Sequence, residues 1–150
     1  MAFFLGLCSI FALLWLVGVL FGVEIFRDYA FIARWAASLM FLFIGVTHLV
    51  KPRALIYMIE NFLPYAKELI YFSGVLEILF AVGLLFPATQ RLSAWSLILL
   101  LIAVFPANIN VAIQQLPPPG GLPAKPWYVW SRLAFQPVYI AWIGWAALRG

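Results

Sequence analysis

Five stretches of this chain, at about 2–23, 30–50, 68–86, 92–113 and 132–149, are each apolar for close to the length of a bilayer crossing. A helix rises about 1.5 Å per residue, so roughly 20 apolar residues cover the hydrocarbon layer. Inside that layer each segment must satisfy its own amides, which a helix does. The sequence therefore predicts an all-α, polytopic membrane helix bundle, one domain over residues 1–150, with the lipid bilayer as its first partner. Composition leaves no room for a soluble fold of this size: 67% of residues are hydrophobic and 9% charged. The net charge of +4 is spread over short loops, which suits lipid headgroups and gives no nucleic-acid patch. A lone cysteine, Cys8, sits in the first apolar run, where it reads as a small packing residue; one thiol makes no internal disulfide.

The first run lacks a basic leader and a small-residue cleavage site, so it reads as a retained helix. Its Gly18-Val19-Leu20-Phe21-Gly22 is a GxxxG, a pattern that lets two helix backbones approach closely and offers a homo-oligomer contact. Between the second and third runs, Leu55, Met58, Ile59 and Phe62 fall at helical spacing, with Glu60 and Asn61 on another face. A short interfacial helix over about 54–63 is expected there, ended near Pro64. The segment 114–131 is rich in proline and glycine and reads as an extended lid, closing on Trp127, Tyr128 and Trp130. Call side A the side of the loops 51–67 and 114–131. It carries Lys51, Arg53, Lys67 and Lys125, against Arg27, Arg91 and Arg149 on side B, which leans toward a cytoplasmic side A.

Polar residues inside the apolar runs carry the functional signal. Glu77 lies at the centre of the third run, with Ser73 one turn toward side A on the same face. On the second run Arg34, Phe41, Gly45 and His48 share a face, with His48 toward side A and Arg34 toward side B. Asn108 and Asn110 on the fourth, and Arg132 and Gln136 on the fifth, also fall in the A half. An ionised group at the bilayer centre costs roughly 3 kcal/mol, so these groups are expected to cluster. A Glu77–Arg132 pair, bridged by Asn108 or Gln136, is the expected core of a pocket open toward side A and roofed by the proline-rich lid. Pro106 should kink the fourth helix and free the carbonyl of Ile102. The plainer reading is a buried latch that fixes helix register with no ligand. Neither haem nor metal is expected: one histidine cannot form a bis-His site, and His48 with Glu77 is ligand-poor.

Phe41-x3-Gly45-x2-His48, SGxxE at 73–77, GLLFP at 83–87, FPANI at 105–109 and Arg132-x3-Gln136 together resemble the DoxX family, over about 34–146. The resemblance implies a four-helix membrane core with the first helix as an N-terminal addition, in the bacterial inner (cell) membrane. It also marks Arg34, His48, Ser73, Glu77, Asn108, Arg132 and Gln136 as signature residues. Some members of that family are linked with a thiosulfate:quinone oxidoreductase and others with oxidative-stress complexes; a distant animal relative is an assembly chaperone for ion-channel receptors.

Two functions stay open at this level. In one, the chain is a subunit of a membrane redox system and holds a quinone or similar small lipophile. Phe41, Phe72, Phe105 and Trp130 would wall the ring, and His48, Glu77 or Arg132 would bond its oxygens, with partner proteins supplying electrons. In the other it is a non-enzymatic interaction or assembly module, contacting other membrane proteins through Gly18, Gly22 and the final helix.

Overall fold

A computed structural model describes residues 2–117 and 125–149 of the chain, and these are helical, with no strand among them. The first helix, α1 (Ala2–Phe21), is apolar all round and stops at Gly22, whose φ of +65° is a conformation glycine adopts without strain. A single 3-10 turn, Glu24–Arg27, leads to Asp28, whose side chain accepts from the amides of Ala30 (2.9 Å) and Phe31 (3.2 Å). That cap starts α2 (Tyr29–Val50) by satisfying two amides that have no intrahelical partner. Lys51 ends it, held out of helical geometry by the ring of Pro52.

The expected interfacial helix over 54–63 is only partly regular. One turn, α3 (Arg53–Ile56), gives way to a run of tight turns as far as Leu63. The apolar face expected there does turn inward at Leu55, Met58 and Ile59, all buried in the bundle, whereas Phe62 is exposed. Tyr65, with φ +58°, turns the chain sharply into α4 (Ala66–Gly83). A left-handed tyrosine is strained by roughly 1 kcal/mol or more, which the following helix holds in place.

Helix α5 (Gln90–Ile113) continues through Pro106, and α6 (Pro126–Ala147) starts six residues before the expected 132. Trp127, Tyr128 and Trp130 therefore belong to the first turns of a helix and not to an extended lid. Pro126 explains the difference: at the first helical position its missing N–H loses nothing and its φ is preset. Residues 118–124 of the expected lid lie outside the described part.

Among the described residues, three of the six helices, α1, α2 and α5, are long and apolar enough to cross a membrane. Lys67, Glu68 and Glu77 make α4 the more polar partner, and it is with α4 that α2 makes its most extensive contact. Helix α2 also contacts α1 and α6, while α5 contacts α4 and α6. Two packed layers result. The one nearer side B is built on small residues, Ala36, Ala37, Ala81 and Ala94, with Leu84, Leu97 and Ile143. The one nearer side A joins Leu55, Met58 and Ile70 to Val111, Ala112 and Val129. Between lipid-solvated helices close packing is the main attraction, so alanine at the seam favours tight association.

Candidate ligand cavity

The site begins with two glycines. A Cβ placed on Gly45 would fall 2.8 Å from the carbonyl oxygen of Gly74, and one on Gly74 would fall 2.9 Å from that of Gly45. Helices α2 and α4 thus touch backbone to backbone at the level where Glu77 and His48 stand. That contact brings His48 Nδ1 to 3.1 Å from Ser73 Oγ and to 3.1 Å from Glu77 Oε2. Ser73 Oγ itself donates to the carbonyl of Ile70 (3.0 Å), which leaves its lone pairs to accept from the imidazole. Glu77 Oε2, although close to the ring, is buried with no hydrogen-bond partner, so the Nδ1 proton is directed at the serine. Glu77 is only 6% exposed, and it is the one buried acid among the described residues.

A second polar chain comes from α5 and α6. Arg132 Nη2 donates to Asn108 Oδ1 (3.1 Å), Asn108 Nδ2 donates to Gln136 Oε1 (3.2 Å), and Gln136 Nε2 donates to the carbonyl of Leu101 (2.7 Å). The expected Glu77–Arg132 ion pair is not formed among the described residues: the acid takes His48 and the guanidinium takes Asn108. Axial depth had placed both groups in one half, but the glycine contact decides which neighbour the acid meets. The carbonyl engaged next to Pro106 is Leu101, one residue before the expected Ile102. Arg132 Nη1 remains buried without a hydrogen-bond partner.

Both chains line one cavity of about 690 Å³, within the size range of small-molecule sites. His48, Ser73, Glu77, Asn108, Arg132 and Gln136 all reach it, together with the aromatic walls Phe41 and Phe72. Three other candidates stand elsewhere. Arg34 is on the opposite side of the bundle, where its Nη1 donates to the carbonyl of Ala146 (3.1 Å) and caps the end of α6. Phe105 faces a smaller groove beside Pro137, between α5 and α6. Trp130 is half exposed and lines neither cavity.

Among the described residues the roof is formed by residues 55–63, whose Leu55, Met58, Ile59 and Leu63 cover the cavity. An amide ladder holds this roof down: Asn110 Nδ2 donates to the carbonyl of Met58 (2.8 Å), Gln114 Nε2 to Asn110 Oδ1 (2.8 Å), and Asn61 Nδ2 to Gln114 Oε1 (2.9 Å). The Tyr57 hydroxyl donates to the carbonyl of Pro117. Burial pushes the Tyr57 phenol above its ordinary range, while the Arg132 guanidinium pulls it the other way. Tyr128 and Tyr139 also line the cavity, which sequence reasoning missed. Tyr139 stands seven residues after Arg132 on one helix face, and that spacing could have found it.

Helices long enough to span a membrane around an internal cavity of mixed polarity define a membrane helix bundle with a candidate ligand site. Residues 37–147 match the family described as Domain of unknown function (DUF8561), and the chain belongs to that family. No curated protein and no solved structure matches it.

Proposed function

We propose that the chain is a DoxX-like integral protein of the bacterial cell membrane that binds a quinone or similar small lipophile, as a subunit of a membrane redox system. In this reading α2, α4, α5 and α6 form a four-helix core, α4 and α6 cross the membrane beside the three more apolar helices, and α1 is an addition. The family match, which begins within α2 and ends with α6, supports setting α1 apart.

One observation carries the binding reading. The cavity holds a buried guanidinium nitrogen, Arg132 Nη1, with no hydrogen-bond partner among the described residues, and a buried carboxylate oxygen, Glu77 Oε2, that makes no formal hydrogen bond and has His48 Nδ1 beside it at 3.1 Å. Such groups each cost about 1–3 kcal/mol unless something bonds to them. The Glu77–His48 contact by itself would serve as a latch that fixes helix register, and it is the unmatched Arg132 nitrogen that such a latch leaves unexplained. A quinone fits the donor set: Arg132 Nη1 would donate to one ring oxygen, and Glu77 with His48 would meet the other. When bound, it would supply two-electron redox chemistry. The chain's own task would be to orient the ring against Phe41 and Phe72 and to hold a proton at Glu77 Oε2 or His48 Nδ1.

Purification in mild detergent, organic extraction and mass spectrometry test this directly. Extraction should return a quinone from the native protein and at least tenfold less from Arg132→Met. Recovery of none, with no binding on titration with a decyl-tailed quinone, rules the reading out. The alternative, an interaction module working through Gly18 and Gly22, has less support. Phe26 already covers Gly18, where a Cβ would meet the Phe26 Cβ at 2.7 Å, and Gly22 serves to end α1.

A further inference from the structure

The geometry points to sideways loading of this cavity from the bilayer, through the seam between α4 and α5, by a single-chain amphiphile whose oxygen-bearing head reaches Glu77 and Arg132. The inference rests on the binding-pocket reading and adds to it a route and a shape of ligand.

The seam closes at one end only. Near side B, α4 and α5 are pinched together: Gly83 has no room for a Cβ because Ser93 Oγ occupies the space, and Thr89 Oγ1 donates to the Gly83 carbonyl (2.8 Å). Ala81, Leu84, Ala94 and Leu97 pack there with exposures of 1% or less. Successive helical residues turn by about 100°, so Leu69, Phe72 and Ser73 lie on the side of α4 that carries Gly83 and meets α5 at Ser93. Ala103 and Ala107 form the matching flank of α5. In a closed bundle these flanks would bury one another. Here all five residues line the cavity, and Phe72 is 62% exposed. The cavity therefore occupies the seam itself, and its mouth is apolar.

Along the helix axes the cavity is closed at both ends of its described walls. The alanine-rich layer lies toward side B. Toward side A, Leu55, Met58 and Ile59 are packed against Val111, Ala112 and Val129, and the amide ladder ties that roof to α5. A ligand dissolved in lipid can enter between Phe72 and Ala103 without crossing either layer. A hydrocarbon chain left in the seam would cover the two flanks, while the head meets Arg132 Nη1, which no other side chain satisfies, and Glu77 Oε2, which has only His48 Nδ1 close by.

Photo-crosslinking in proteoliposomes tests this with two probes of equal dodecyl chain, each bearing a diazirine on the chain, one with a benzoquinone head and one with a carboxylic acid head. At least one probe should label peptides containing 69–73 and 100–107 in preference to the rest of the lipid-facing surface. An excess of the same molecule without the diazirine should compete for this labelling. Ala103→Trp, which narrows the mouth, should reduce it at least tenfold, and Val75→Trp, on a lipid-facing side of α4 away from α5, should not. Even labelling over all exposed helix faces, absence of competition, or indifference to Ala103→Trp would each overturn the inference. If the carboxylic acid probe labels the seam and the quinone probe does not, the route stands and only the quinone reading falls.

Discussion

Each end of the bundle has an arginine at the end of an apolar helix, and the two are treated differently. Toward side B, Arg34 donates to the carbonyl of Ala146, Gln90 Nε2 to that of Ala147 (2.9 Å), and Trp142 Nε1 to that of Ala33 (3.1 Å). Deeper in the same half, Ser38 Oγ donates to the carbonyl of Ala81 (2.7 Å). Every one of these donors ends on a backbone carbonyl, so the polar groups close the fold and leave no charge waiting. Toward side A, Arg132, Asn108 and Gln136 bond mainly to one another, a charged nitrogen stays unmatched, and Glu77 Oε2 has only the His48 ring beside it. The difference separates polar residues that complete helix ends from those that hold a shape around a space. A buried charge whose partner is a carbonyl is structural; one whose partner is another side chain beside a cavity is available for a ligand.

The largest expected effect comes from the contact on which the polar half is built. In Gly45→Ala the new methyl would sit 2.7 Å from Ile78 Cγ1 and 2.8 Å from the Gly74 oxygen, so α2 and α4 must move apart. A loss of about 3 kcal/mol is expected, read as a lowered thermal midpoint in detergent, together with loss of ligand binding. Gly144→Ala, where no atom lies within 4 Å of the added carbon, serves as the contrast and should be neutral or slightly stabilising. If the two variants behave alike, the backbone contact is not what positions His48 and Glu77.

Exchanging the two arginines for methionine puts the comparison itself at risk. Arg34→Met frees the Ala146 carbonyl and should lower stability by about 1–2 kcal/mol with ligand binding intact. Arg132→Met should do the opposite: binding falls at least tenfold, while stability holds or rises because an unmatched buried charge is gone. Thermal midpoints and binding titrations on both variants decide it. Equal loss of stability in both would mean that Arg132 is one more structural tie.

Much of this arrangement was legible in the sequence, and the failures have specific causes. The starts of α2 and α5 fall within two residues of expectation because a bilayer sets helix length and Asp28 marks a cap. Six of seven polar candidates do line one cavity, since depth along a helix can be counted from residue spacing. Depth gives no azimuth, however. It could not tell whether Glu77 meets His48 or Arg132, nor that Arg34 turns to the end of α6. The information lies in Gly45 and Gly74, which fix the facing sides of α2 and α4, but residue spacing alone does not say that these two glycines meet each other. The roof was missed for another reason. Asn110 and Tyr57 bond to backbone carbonyls of irregular segments, and no periodicity announces such partners.

The roof offers the mildest and most specific test of the contrast between a sealed half and an open one. Tyr57→Phe keeps the ring and removes the hydroxyl that donates to the Pro117 carbonyl, so a loss near 1 kcal/mol is expected. Burial favours the neutral phenol and raises its folded pKa above the unfolded value. Its contribution is therefore whole below a pH of about 10 and lost as pH rises through the folded value. Native protein should show faster amide exchange over residues 53–63 in that alkaline window, and Tyr57→Phe should exchange faster already at neutral pH, with no further step there. The carbonyl-capped side-B end, which contains no such phenol contact, should keep its protection in both proteins. Faster exchange at both ends together would show that the roof is not a separate element, and the two halves would then open as one unit.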